Sequence, residues 1–285
     1  MPEQGRHAAR GAYGLTLPDV PGAAEMLVEP PVEWPTWGIR HQPPSQVVGY
    51  CEKPEFVSET QGRLWLSGGG HVLIDRAASM STLVLPKRPA DREIVHPFLA
   101  ATAAVAARWR GWHCFHAGGL VVDGGAWGVL GDKGTGKSSL LAWLARQGED
   151  VLCDDVLVID QDGAAVTGPR SLDLRGETAA WLGEGEALGV VGARARWRMP
   201  LGPTALSVPL RGWVVLAWGE PTKVEEVPPL ERLPLLAENL SLRLMPTNGQ
   251  TLMDLTVLPL LRLRRPRRLD AMRDGAERLL AALGR

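Results

Sequence analysis

Residues 128–139 read GVLGDKGTGKSS, and the fold turns on them. The apolar run Trp127 to Leu130 predicts a strand, and Ser138 to Gln147 predicts a helix closed by Gly148. Between them, Gly131 to Ser138 satisfies G-x-x-x-x-G-K-[ST] in the strand–loop–helix setting that gives this spacing its meaning. Glycines let the backbone curl so that successive N–H groups point inward at an anion, and the helix N-terminus adds a favourable dipole. A glycine-rich turn with a solvated lysine is the plainer alternative. The phosphate-loop reading makes Gly131, Asp132, Lys133, Gly134, Thr135, Gly136, Lys137, Ser138 and Ser139 the cofactor-binding set. ATP is then the cofactor, with Lys137 reaching the β- and γ-phosphates and the Ser138 hydroxyl ligating magnesium.

Working outward, Leu120 to Val122 and Trp127 to Leu130 flank Asp123-Gly124-Gly125, a hairpin signal. After the predicted helix, the apolar run Val151 to Cys153 ends in Asp154-Asp155. In α/β sheets, functional groups gather at the carboxyl ends of strands. One carboxylate there can hold magnesium and the other can accept a proton from an attacking hydroxyl. A solvated acidic turn is the competing reading of the pair. A simple ATPase needs only one such acid, so the second favours phosphoryl transfer to a hydroxyl.

Phe115-His116-Ala117 opens the strand that leads into this hairpin. The stretch from His116 through the glycine loop, one helix and a strand ending in Asp-Asp resembles the catalytic core of the HPr kinase/phosphorylase family. That resemblance implies an α/β fold with a P-loop kinase core of the HPr-kinase/PEP-carboxykinase type and a small β-rich N-terminal portion. It implies three catalytic residues: Asp154 as base, His116 beside the γ-phosphate, and Lys137. Asp155 takes the role of the acid supporting magnesium. Leu172-Asp173-Leu174-Arg175-Gly176 is similar to a family segment with a metal-associated acid before Arg-Gly, which makes Asp173 a third metal candidate, with Asp in place of the usual glutamate. The chain departs from the family in the differently composed residues before His116 and in lacking a recognisable C-terminal signature for HPr. It looks more like diverged relatives, some of which phosphorylate serine in ribosomally made peptides such as lasso peptides. The acceptor implied is a serine of a peptide or small protein. A nucleotide-binding switch or ATPase subunit without transfer, and a small-molecule kinase, are the alternatives.

The flanking sequence divides at about residue 110, giving a β-rich region at 1–110 and a catalytic domain at 111–285. Residues 1–60 are proline-punctuated (PDVPG, EPPVEWPTW, HQPPSQ), which forbids long helices and central strands. Arg63 to Ser67 and His71 to Asp75 predict a strand pair around Gly68-Gly69-Gly70, and Ser81 to Pro86 a further strand. Asp91 to Trp112 predicts one helix, capped by Asp91 and driven by its alanine-rich stretch. Val156 to Ile159, Ala164 to Val166, Leu210 to Trp218 and Leu260 to Leu263 predict strands, and Leu269 to Leu283 a helix. Arg194, Arg196 and Arg198 occupy alternate positions and, if extended, share a face able to meet phosphate or an acidic peptide. A solvated loop is the alternative. Trp34, Trp37, Trp65 and Trp109 can line a peptide groove or fill a small core.

The formal net charge of −1 gives no global case for nucleic acid or an anionic membrane. The basic run Arg262 to Arg268 lacks the interleaved aromatics of a nucleic-acid site and reads as a solvated strand end. Three cysteines, Cys51, Cys114 and Cys153, without a CxxC spacing, argue against a disulfide framework or zinc site. With no apolar leader and no run of about 18 apolar residues, a cytoplasmic location without membrane association is expected. A homo-oligomer is left open. His7, His41, His71 and His113 read as structural.

Overall fold

The computed structural model describes residues 9–46, 55–244 and 248–285, so His7 and Cys51 lie outside the described residues. The architecture is mixed α/β with several sheets. The largest has nine strands, ordered Asp150–Cys153, Gly118–Val122, Gly125–Leu130, Ser207–Trp218, Ala164–Val166, Leu157–Ile159 and His113–Phe115. Leu260–Arg265 pairs with the second half of Ser207–Trp218, and Lys223–Glu226 covers it.

Strand direction decides what this sheet gathers. Gly125–Leu130, Ser207–Trp218 and Leu260–Arg265 run parallel. Gly118–Val122 is antiparallel to Gly125–Leu130, and Asp150–Cys153 is antiparallel to Gly118–Val122. One edge therefore receives the carboxyl ends of four strands and the start of a fifth. His116, Gly131, Asp154, Trp218 and Arg265 all sit at or just beyond that edge.

Two apolar layers hold the sheet. On one face, helices Lys137–Arg146 and Met272–Ala282 bury Leu140, Leu144, Met272 and Leu279 with Leu120, Val129 and Val214. On the other, Leu99–Trp109 packs Ala103 and Val105 in one cluster with Phe115, Leu157 and Val158. Trp213 meets Phe115 edge to face at 4.8 Å there. That cluster runs from Ala12 to Leu260 without a break at residue 110.

A five-stranded sheet is built from Gly38–Gln42, Met80–Val84, His71–Asp75, Gln61–Trp65 and Phe56–Val57. The helix expected over 91–112 is broken. A first turn at Asp91–Glu93 leads to His96, whose φ of −150° and ψ of 119° are not helical, and the helix resumes at Leu99. Pro97 is the cause, since proline removes a donor and disfavours helical geometry in the residue before it. Ala90, not Asp91, is the N-cap residue, and Asp91 instead accepts from the Gly22 N–H at 2.9 Å. A third sheet, Ser171–Leu174, Arg194–Pro200 and Glu186–Val191, places Asp173 opposite Arg198. Among the described residues, no helix is long and apolar enough to cross a membrane.

Candidate functional site

Gly131–Ser138 forms a tight loop from strand into helix. Thr135 N–H and Oγ1–H both donate to Asp132 O, at 3.1 and 2.8 Å, and Lys137 Nζ folds back onto Gly131 O. Gly136 has φ +84° as the helix N-cap, and a Cβ there would run into the Arg265 guanidinium. Glycine is thus required twice over, by conformation and by close approach. Lys137 is buried, and burial pulls its ammonium pKa down against the opposing pull of Asp155, Asp154 and Asp132. Ser139 exchanges a hydrogen bond with Thr178 at 3.0 Å.

The paired aspartates diverge. Asp155 adopts φ +68°, a left-handed conformation that Asp tolerates better than most residues. This turns its carboxylate toward the cleft, 3.7 Å from His116 Nδ1, with 39% of the side chain exposed. Asp154 is enclosed, with 2% exposed. The Ser138 hydroxyl donates to its Oδ1 at 3.0 Å and the Asp173 N–H to its Oδ2 at 3.4 Å. Burial, then the charge of Asp155, pushes the Asp154 carboxyl up to about 7. Burial acts the same way on Asp155, but His116, His96, Lys137 and Arg196 outweigh it and lower that carboxyl. Burial lowers the His116 imidazole, against the pull of Asp155.

Asp173, expected as a metal ligand, is engaged otherwise. Arg198 grips it bidentately, Nε to Oδ1 at 2.8 Å and Nη2 to Oδ2 at 3.0 Å, and Arg196 Nη1 donates to Oδ2 at 3.0 Å. All three side chains are buried. A carboxylate held by two guanidiniums has little left to offer a cation, and Asp173 serves here as an internal counter-ion. The expected arginine face exists as an extended strand, yet two of its three members point into the protein at Asp173. Arg198 continues to the carbonyls of Arg92 (2.8 Å) and His96 (2.6 Å), tying this sheet to the broken helix.

Arg265 is a feature that sequence reasoning missed. The basic run places it at a solvated strand end, but it is 2% exposed. Its guanidinium stacks over Trp218 at 4.5 Å, and Nη2 donates to Thr135 O at 3.4 Å. Burial lowers it to about 10, which leaves it charged at neutral pH. Its Nε finds no acceptor among the described residues. The available signal was the convergence of parallel strand ends, which needs the strand order.

These groups line a cleft of about 600 Å³, within the usual range of small-molecule sites. His116, the glycine loop, Asp155, Arg194, Trp218 and Arg265 line it, as do Trp65 and Phe98. Of the tryptophans offered for a groove, Trp65 alone lines this cleft. Trp37 and Trp109 pair at 6.2 Å and bond to Ser81 and Ser58, as a small core requires. His41 bonds Leu85 O at 2.8 Å, and His71 and His113 are buried. Cys114 and Cys153 are buried free thiols.

No protein-family model and no curated protein matches the chain. Among solved structures, the Hpr(Ser) kinase/phosphatase from Coxiella burnetii is similar at 12% identity and a TM-score of 0.30, over 60% of this chain and 95% of that one. Likeness at that level leaves the functional reading to the residues themselves.

Proposed function

We propose that the chain is an ATP- and magnesium-dependent phosphotransferase that moves the γ-phosphate to a hydroxyl, a serine of a peptide or small protein. The observation that carries this reading is the Gly131–Ser138 loop with the Ser138 hydroxyl bonded to Asp154 and Asp155 opening into the same cleft. The loop amides and Lys137 would hold the phosphates, with Arg265 beside Thr135 as a further cation.

The donors beside the loop are hard oxygens, the Ser138 hydroxyl and the Asp154 carboxylate, 3.0 Å apart. They suit magnesium, which takes few protein ligands and completes its shell from phosphate and water. Bound there, magnesium would offset charge on the phosphates. The geometry favours exchanging the roles expected for the two aspartates. A base must first reach the acceptor hydroxyl, and only then does its pKa matter. Asp155 faces the cleft, whereas Asp154 is enclosed and already bonded to Ser138. In this reading Asp155 orients the hydroxyl and takes its proton, with His116 steadying its carboxylate. Asp154 supports the cation. Positioning and electrostatics then supply most of the rate.

The test follows label from γ-labelled ATP into serine peptides. Lys137→Ala should abolish nucleotide binding. Asp155→Asn should bind nucleotide within about threefold of wild type and lose transfer by about 10²-fold or more. Transfer that survives in Asp155→Asn and vanishes in Asp154→Asn with binding intact would return the base to Asp154. Transfer undiminished in Lys137→Ala would remove the phosphate-loop reading.

A further inference from the structure

Eight lysine and arginine side chains line the cleft against four carboxylates. A nucleotide chelated to magnesium cancels part of that surplus. Four of the cations are engaged: Arg196 on Asp173, Lys137 and Arg265 on the glycine loop, and Arg268 on Asp270. Lys133, Arg175 and Arg267 are exposed to solvent, and Arg194 differs from both groups. It is half-buried, and its one hydrogen bond among the described residues is from Nη2 to a neutral carbonyl, Asp173 O, at 3.3 Å. It has no carboxylate within ion-pair distance among the described residues. A partly desolvated guanidinium that opens into a cleft with no carboxylate paired to it can offer an anion bidentate geometry.

Its placement assigns it to the acceptor side. Arg194 follows the turn at Gly192, which packs so closely on the Ser67–Gly68 turn that a Cβ at Gly68 would collide with the Gly192 backbone. The N-terminal sheet therefore braces it. Trp65, 43% exposed, and Phe98 supply apolar surface on the same cleft. We propose that Arg194, which shares its cleft with Trp65 and Phe98, is an acceptor subsite that selects a peptide carrying an acidic residue close to its serine. This rests on the phosphotransferase reading and names its substrate class.

The experiment uses the full chain and sets of short serine peptides. Each set comprises twins with Asp, Asn or Lys at one position within three residues of the serine, and each twin carries a fluorophore. Anisotropy with magnesium and a non-hydrolysable ATP analogue gives affinity, and labelled ATP gives kcat/KM. At the favoured position the Asp twin should exceed the Asn twin by about tenfold, the scale of one charge-assisted contact. Arg194→Gln should erase that ratio while leaving nucleotide affinity unchanged. Arg194→Lys should keep part of it, and Arg194→Glu should invert it toward the Lys twin. Equal binding and turnover of all twins, or a preference that persists in Arg194→Gln, would overturn the proposal. Acid-selective binding that Arg194→Gln removes, with no transfer to any peptide, would uphold the subsite and defeat the phosphotransferase reading.

Discussion

Asp154→Asn isolates the effect of one buried proton. The folded carboxyl sits at about 7, against 3.8 for an ordinary aspartate, because burial and Asp155 both oppose its ionisation. Below pH 4 both folded and unfolded chains hold the proton, so the group contributes no pH dependence. Between about pH 4 and 7 the unfolded chain releases it and the folded chain does not, so stability falls as pH rises. A gap of about three pH units at 1.36 kcal/mol each gives about 4 kcal/mol, complete above pH 7. Asparagine does not titrate, and its amide can meet both the Ser138 hydroxyl and the Asp173 N–H that Asp154 engages. The variant should therefore match wild type near pH 4 and exceed it by about 4 kcal/mol at pH 8. Urea unfolding in metal- and nucleotide-free buffer, followed by the fluorescence of the eleven tryptophans, measures both curves. A difference that does not change with pH, or one that favours wild type at pH 8, would refute the reasoning.

Asp173→Asn leaves Arg196 and Arg198 buried without their counter-ion, which should cost about 3–5 kcal/mol in the same urea assay. A loss below about 1 kcal/mol would mean that the clamp is solvated. Arg265→Ala removes the cation over Trp218 and the bond to Thr135 O, so nucleotide affinity by calorimetry should fall about tenfold. Unchanged affinity would make Arg265 a packing residue alone.

The stretch from His116 to Ile159 was legible because its signals are local. Asp123-Gly124 sets the hairpin, the glycines set the loop, and an apolar run ending in two acids sets the next strand. The break at His96 was also local, since Pro97 announces it, but the alanine-rich propensity of the following residues masked it. What stayed hidden depends on register between distant strands. Alternation correctly put Arg194, Arg196 and Arg198 on one face, yet only the pairing of Asp173 opposite Arg198 shows that the face turns inward. Arg265 and Trp218 reach the glycine loop because their strands run parallel to Gly125–Leu130, a fact no single segment carries. The same limit applies to the two aspartates. Adjacent residues at a strand end are equivalent in sequence, and the left-handed turn at Asp155 is what sends them to different neighbours.

The distribution of charge around the three acids favours Asp154 as the cation's support. Asp173 has two guanidiniums, and Asp155 has His116 at 3.7 Å. Asp154, among the described residues, has no cationic side chain within 4.0 Å, only the Ser138 hydroxyl and an N–H. A negative charge there is the least compensated of the three, and burial and the charge of Asp155 hold its proton in place. A dication beside Ser138 would gain most at that position, and its binding would release the proton. Magnesium with nucleotide should therefore shrink the stability gap between wild type and Asp154→Asn at pH 8. Magnesium affinity of wild type should rise with pH through about 7 and level off above it. Isothermal titration at pH 6 and pH 8 separates the possibilities. Tighter binding at pH 8 in wild type, and none of that dependence in Asp154→Asn, is the expected pattern. The same dependence in both proteins would mean that the proton released belongs to another group, and would refute Asp154 as the cation's support.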